Sequence, residues 1–193
     1  GSLLWLLDKT NTAMGGRLLK KWVQQPLIDV EAINKRLSGV EELFNNSLLM
    51  DELQELLRKV YDLERLIGRI SFGTANARDL LSLKQSIGVL PSIKKLLSSC
   101  KSEILQEFYN ELDLLEDVYD LIDKSIDENP PLTIKEGSII KDGYNAQLDK
   151  YREARYKGKE WSADLERKER EKTGIKNLKI GFKKVFGYYI DVT

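Results

Sequence analysis

Apolar residues recur every three to four positions along the first 127 residues and then thin out sharply. Ile33, Leu37, Val40, Leu43 and Phe44 form an apolar stripe that predicts an amphipathic helix running from a cap at Asp29 to Asn45-Asn46. Before it, Thr10, Asn11 and Thr12 offer N-caps for a helix over about Ala13 to Gln24, which Pro26 ends. The pattern continues through Leu53, Leu56, Leu57 and Val60, then through Leu63, Leu66, Ile67 and Ile70. Asn76 starts another helix, with Asp79 in its first turn and Leu80, Leu83 and Ile87 facing inward. Pro91 fits the first turn of a short helix reaching Leu97. One further helix is marked by Leu105, Phe108, Leu112, Leu115, Tyr119 and Ile122. Glu128-Asn129-Pro130-Pro131 breaks it, and the stretch from Ile134 to Ile140 reads as a small strand pair around Gly137.

From Asn145 to Lys172 the chain reads as a single helix too polar to be buried. Leu148, Tyr151, Trp161 and Leu165 supply a sparse stripe, and residues 166–172 contain no apolar side chain at all. Glu166 and Arg170 stand at the four-residue spacing of a helical ion pair, as expected of a solvated helix. Lys172 in the last turn and Gly174 beyond it form a stop signal. About 28 residues at ~1.5 Å each give an arm roughly 42 Å long, with a bend predicted at Gly158. Beyond it the period changes to two. Leu178, Ile180 and Phe182 share one strand face, Lys179 and Gly181 the other, and Tyr188 to Val192 form a second strand after Gly187. Phe182, Phe186 and Tyr189 are expected to form the hairpin's own small core.

The fold class is therefore mainly α, a helical core bundle with a long helix leading to a small β-hairpin. Four parts are expected: a helical core over 1–127, a linker over 128–143, the arm over 144–174 and the hairpin over 175–193.

Charge is sorted along this plan. The chain is neutral, with 31 Lys/Arg and 31 Asp/Glu. Residues 144–193 hold 13 basic against 8 acidic side chains, a net +5, which leaves −5 on residues 1–143. Within 173–193, Lys176, Lys179, Lys183 and Lys184 face Asp191 alone. A neutral chain with one basic end is suited to a polyanion at that end. Lysines on flexible stems suit a ladder of phosphates, whereas base reading favours arginine and amide side chains. Lys176, Lys179, Lys183 and Lys184 are thus the candidate contacts, with Asn177 as a neutral donor. The bland alternative is a hairpin whose lysines only guard an edge strand.

Signals of catalysis are sparse. There is no histidine, a single cysteine (Cys100) and no G-x-x-x-x-G-K-[ST] phosphate loop. Asp62, Glu64, Arg65, Arg69, Arg78 and Asp79 read as ion pairs that lock helix junctions rather than as an acid–base set. Asp113, Glu116, Asp117 and Asp120 lack a loop that would gather oxygens around a cation. Gly15-Gly16 reads as a site of close helix packing. No catalytic residue, metal site or bound cofactor is assigned. No apolar run approaches the ~20 residues needed to span a bilayer, and the opening Ser2-Leu3-Leu4-Trp5-Leu6-Leu7 lacks the basic flank of a signal peptide. A cytoplasmic location is expected.

Several long stretches resemble one known family. GSIIKDGYN (137–145), ERKEREKTGI (166–175) and KIGFKKVFGYYIDVT (179–193) are similar to the lever and clamp of the MutS family of bacterial DNA mismatch repair proteins. LLDKTNTAMGGRLLKKWVQQPL (6–27), VYDLERLIGRIS (60–71) and TANARDLLSLKQSI (74–87) resemble that family's core domain. The resemblance covers essentially the whole chain, in several independent motifs in one order. It implies a duplex-DNA backbone contact made by the hairpin, independent of sequence, and coupling of the clamp to an ATPase through the lever. It also implies a parent protein that dimerises, uses ATP and Mg, recognises mispairs and works with other repair proteins. The family's Phe-x-Glu wedge and ATPase lie in other domains, so the expectation is a non-enzymatic fragment lacking the returning half of the arm. Any dimer of such a piece is expected to arise from the bared arm stripe. The alternative function is a helical protein-interaction module that does not bind DNA.

Overall fold

The computed structural model describes residues 2–183 and 187–192, without the side chains of Lys159 and Lys183. Two compact units make up the chain, Gly1–Lys141 and Asp142–Thr193.

The first unit is built from helices α1 (Leu3–Leu7), α2 (Ala13–Gln24), α3 (Val30–Asn45), α4 (Ser47–Leu57), α5 (Leu63–Ser71), α6 (Ala77–Ile87), α7 (Leu90–Leu97), α8 (Glu103–Glu111) and α9 (Glu116–Ser125). Their starts follow the expected chemistry. Thr12 Oγ1 accepts the Gly15 N–H at 2.9 Å, Asp29 Oδ2 that of Ala32 at 2.8 Å, and Asn76 and Asp79 form a reciprocal capping box. The short helix α1, capped by Ser2, lies on an apolar run that carries no helical period. Two apolar clusters hold the unit together. Leu66, Ala77, Leu83, Ile87, Ile122 and Ile126 join α5, α6 and α9. Leu49, Leu97, Cys100 and Leu105 join α4, α7 and α8, with Leu43 of α3 packed against them.

Four sequence expectations need correction in this unit. The apolar stripe of α3 is divided: Leu43 packs on the second cluster, while Leu37, Val40 and Phe44 are 57%, 62% and 79% exposed. The helix instead buries Gly39, where a Cβ would stand 2.5 Å from the Ile104 methyl on α8. Glu42, a turn further on, accepts the Lys101 and Ser102 N–H groups at 2.7 Å each and so closes the start of α8. Close approach to α8 selected this face, and glycine carries no hydrophobic signal.

The expected helix through Leu105 and Ile122 is in fact two. Asp113 Oδ1 accepts the Leu115 N–H at 3.0 Å, and Leu115 takes a left-handed φ of 51° before α9. A local side-chain bond thus displaces the helical one. Gly15 and Gly16 pack against Thr10, Thr12 and Asp8 of the preceding loop, not against another helix. The strand pair around Gly137 is instead a 3₁₀ turn, Ile134–Glu136, with one bridge between Ile126 and Ile140.

Ion pairs do lock helix junctions. Arg17 binds Asp62 at 2.7 Å and Glu64 at 2.6 Å, and Arg69 binds Asp79 at 2.9 Å. The Arg17 hydrogen bonds hold the Asp62 carboxyl down to about 2. Ser86 is wholly buried; its hydroxyl donates to the Ser82 carbonyl and accepts the Tyr61 N–H, both at 2.9 Å.

The second unit is the helix α10 (Ala146–Thr173) with strands β1 (Leu178–Lys183) and β2 (Gly187–Val192). Asn145 Oδ1 accepts the Gln147 and Leu148 N–H groups at 3.0 Å, which starts α10. Arg152 ties Asp142 at 2.6 Å and Asp149 at 3.4 Å, and Asp149 in turn accepts the Gly143 N–H. Gly174 ends the helix at φ 72°, its N–H bonded to the Arg170 carbonyl. The architecture is thus mainly helical, closing in a two-stranded antiparallel hairpin.

Candidate nucleic-acid interface

The hairpin does not project beyond the end of α10 as a free tip. It folds back along the helix. Arg170 Nε donates to the Leu178 carbonyl at 2.6 Å, and Glu166, one turn earlier, accepts the Ile180 N–H at 3.0 Å. Further back, Trp161 meets Tyr188 edge-on at 6.1 Å, and the Tyr188 hydroxyl lies 3.9 Å from where a Gly158 Cβ would be. Glu166 and Arg170 also pair with each other at 2.6 Å. One intrahelical ion pair therefore grips two successive backbone groups of β1.

Strand register sorts the side chains into two faces. Leu178 opposes Val192, Ile180 opposes Ile190 and Phe182 opposes Tyr188, all on one face. Leu178 is only 3% exposed, and Phe182 and Tyr188 meet at 5.0 Å between ring centroids. This is the face that meets α10. Tyr188, not Tyr189, is therefore the partner of Phe182; the expected Phe186 lies outside the described residues. The other face carries Lys179 opposite Asp191, Gly181 opposite Tyr189, and Lys183 opposite Gly187. The Tyr189 ring lies over Gly181 so closely that a Cβ there would stand 2.6 Å from it. Gly187, at φ 73°, takes a backbone conformation that favours glycine.

The five candidate contacts divide accordingly. Lys179 is exposed on the face turned away from α10. The backbone of Lys183 falls on that same face, four residues on, and its side chain lies outside the description. Lys184 is outside the described residues. Lys176 and Asn177 are exposed in the connection between α10 and β1, not on the strand face. Lys176 and Lys179 form no ion pair with any described residue. Among the described residues, no three or more His, Cys, Asp and Glu side chains gather closely enough to hold a metal, and no helix is long and apolar enough to cross a membrane.

Residues 1–184 match the family model of MutS domain III, and the chain belongs to that family. It is 59% identical to the DNA mismatch repair protein MutS of Caldanaerobacter subterraneus subsp. tengcongensis, 57% to that of Clostridium novyi and 52% to that of Clostridium perfringens. Each match covers all of this chain but only 22%, 21% and 21% of the relative. The chain thus spans about a fifth of the length of the curated relatives it matches.

Proposed function

We propose that the hairpin face bearing Lys179 contacts the sugar–phosphate backbone of duplex DNA. Lys176, Asn177, Lys183 and Lys184 supply further contacts, and α10 is the lever that carries this face. The observation behind the proposal is the docking of the hairpin. Leu178 is buried and Tyr188 meets Trp161 on the face turned to α10, so Lys179 stands on the side turned away from the helix. Relatives named as DNA mismatch repair proteins supply the kind of polyanion. The contact is made through phosphates and is blind to sequence and mispairing.

In a polypeptide of the relatives' length, we assign ATP and Mg, mispair recognition, dimerisation and contacts with other repair proteins to regions outside these residues. The region itself performs no catalysis. The division into a core (1–127), linker (128–143), lever (144–174) and clamp (175–193) belongs to the same proposal, as does a cytoplasmic setting.

The test is binding of fluorescent homoduplex and mismatched duplex across a salt series, with the parent chain beside Lys179→Ala/Lys183→Ala. Equal Kd values of about 10⁻⁴–10⁻⁶ M for both duplexes are expected. With up to four lysines engaged, log K against log salt should slope no more steeply than about −4 and flatten in the variant. Absence of binding at low salt would favour the alternative of a protein-interaction module. Affinity unchanged by the double variant would move the contact off this face.

A further inference from the structure

Asp142-Gly143 stands apart in the chemistry of this chain. No other aspartate or asparagine precedes a glycine; every other successor carries a side chain that crowds its own peptide nitrogen. Glycine leaves that nitrogen open to attack on the aspartyl side chain. The nitrogen bonds to Cγ of the carboxylic acid, and its proton leaves with the carboxyl hydroxyl as water, closing a succinimide ring. Water then reopens the ring at either carbonyl. Opening at the α-carbonyl leaves isoaspartate, of unchanged mass, with the main chain rerouted through the side-chain carbon. Water is the only co-reactant.

The pair lies in a turn, the Asp142 side chain is 91% exposed, and the space beside Gly143, at φ 82°, is empty. Yet both reacting groups are engaged. Arg152 Nη1 holds Asp142 Oδ1 at 2.6 Å, so the carboxyl must leave the guanidinium before the ring can close. The Gly143 N–H, whose proton has to depart, is bonded to Asp149 Oδ2 at 3.0 Å, which fixes that peptide plane against the start of α10. The two holders are tied in turn, Arg152 Nη1 to Asp149 Oδ1 at 3.4 Å. Neither hold is needed to begin α10, because Asn145 already accepts the Gln147 and Leu148 N–H groups. An intramolecular attack is fast only from a near-attack geometry, and this clasp keeps the two groups out of it.

We propose that Asp142-Gly143 is a site of spontaneous isoaspartate formation, and that Asp149 and Arg152 are positioning residues that hold it in check. Isomerisation shortens the arm of the free carboxylate that meets Arg152 and lengthens the turn into α10. The product is the substrate class of methyltransferases that use S-adenosylmethionine: they esterify the freed α-carboxylate, and loss of methanol on ring closure returns it to the succinimide. The proposal is independent of the DNA-contact reading.

The test ages the 193-residue chain in neutral buffer beside a synthetic peptide of residues 141–150. Isoaspartate is followed as a tryptic fragment 142–150 of unchanged mass and altered retention, and by labelled methyl transfer from an isoaspartyl methyltransferase. The folded chain should isomerise at least about tenfold more slowly than the peptide, since two hydrogen bonds to charged groups have to break. Asp142→Glu, whose longer side chain does not close this ring, should abolish the signal. Asp149→Ala should accelerate the reaction about tenfold, and Arg152→Met about threefold, the exposed ion pair being the weaker hold. Asp149→Asn keeps an acceptor for the Gly143 N–H and should stay close to the parent rate, with helical circular dichroism unchanged in every variant. A folded-chain rate equal to that of the peptide would overturn the proposal, as would a signal that survives Asp142→Glu. So would a slower reaction in Asp149→Ala, which would make that carboxylate the base that draws off the amide proton, or rates that track loss of helix rather than loss of the two holds.

Discussion

Replacing Arg170 by lysine tests how the hairpin is held. Arg170 Nε donates to the Leu178 carbonyl while its Nη2 binds Glu166, whose other oxygen accepts the Ile180 N–H. A lysine has one point of attachment and cannot make both bonds in this fork geometry. Two charge-assisted hydrogen bonds contribute about 1.5–3 kcal/mol each when well shielded. Both side chains here are partly exposed, 38% for Arg170 and 26% for Glu166, and solvent screening brings the joint contribution down to about 1–2 kcal/mol. An isolated two-stranded hairpin is marginal in water, so a loss of that size matters locally. Native-state hydrogen exchange is the assay. The Ile180 amide should exchange about tenfold faster in Arg170→Lys, while amides in the middle of α10 keep their protection. Duplex binding should weaken in step if the docked hairpin is the contact. Unchanged Ile180 exchange would refute the idea that this ion pair holds the strand, leaving Leu178 burial and the Trp161–Tyr188 contact as the fastening.

Three further outcomes follow from the first unit. Gly39→Ala should gain about 1 kcal/mol of helix propensity but lose about 1–3 kcal/mol to the clash with the stiff Ile104 side chain, for a net destabilisation of about 1 kcal/mol in urea unfolding. A double-mutant cycle with Ile104→Ala should show strong coupling between the two sites. Ser86→Ala should cost about 1–3 kcal/mol, because the Tyr61 N–H loses its buried acceptor; a neutral result by calorimetry would mean that water replaces the hydroxyl. Asp62 is held below its ordinary carboxyl range, so its contribution is complete above about pH 4 and lost as pH falls towards about 2. Arg17→Met should flatten that acid limb of a stability–pH curve, and an unaltered limb would assign acid sensitivity to other carboxylates.

Legibility in the sequence followed the nature of each interaction. Caps were readable because they are local: Thr12, Asp29, Asn76 and Asn145 each bind N–H groups two to three residues on. The α8–α9 break was not, because Leu112 and Leu115 sustain the helical spacing while Asp113 diverts the backbone. The approach of α3 to α8 was hidden because Gly39, which has no side chain, carries it. The alternation in the strands was readable as a period of two, but period alone could not choose Tyr188 over Tyr189 as the neighbour of Phe182. The lysine-rich composition of the candidate interface was visible. The grip of Glu166 and Arg170 on β1 was not, since backbone carbonyls and N–H groups have no signature of their own.

That grip also gives α10 two unlike sides. The side chains near the hairpin, Ser162, Leu165, Glu166, Glu169 and Arg170, are half-buried. At helical spacing, Glu153, Glu160, Asp164 and Glu171 fall on the opposite side, and all are exposed. Lys157 beside it holds the Glu153 carboxyl below its ordinary range. On this side Lys157 pairs with Glu153 and Arg167 with Asp164, which leaves Glu160 and Glu171 to turn a polyanion, under the proposed contact, towards the lysines beyond the hairpin. A helix with few apolar contacts to constrain its surface is thus free to sort its charge, and sorted charge orients a ligand before any contact is made. Reversing Glu160 and Asp164 to lysine should therefore raise duplex affinity at low salt while steepening its salt dependence. If affinity stayed constant, the acidic side would have no part in orienting the duplex.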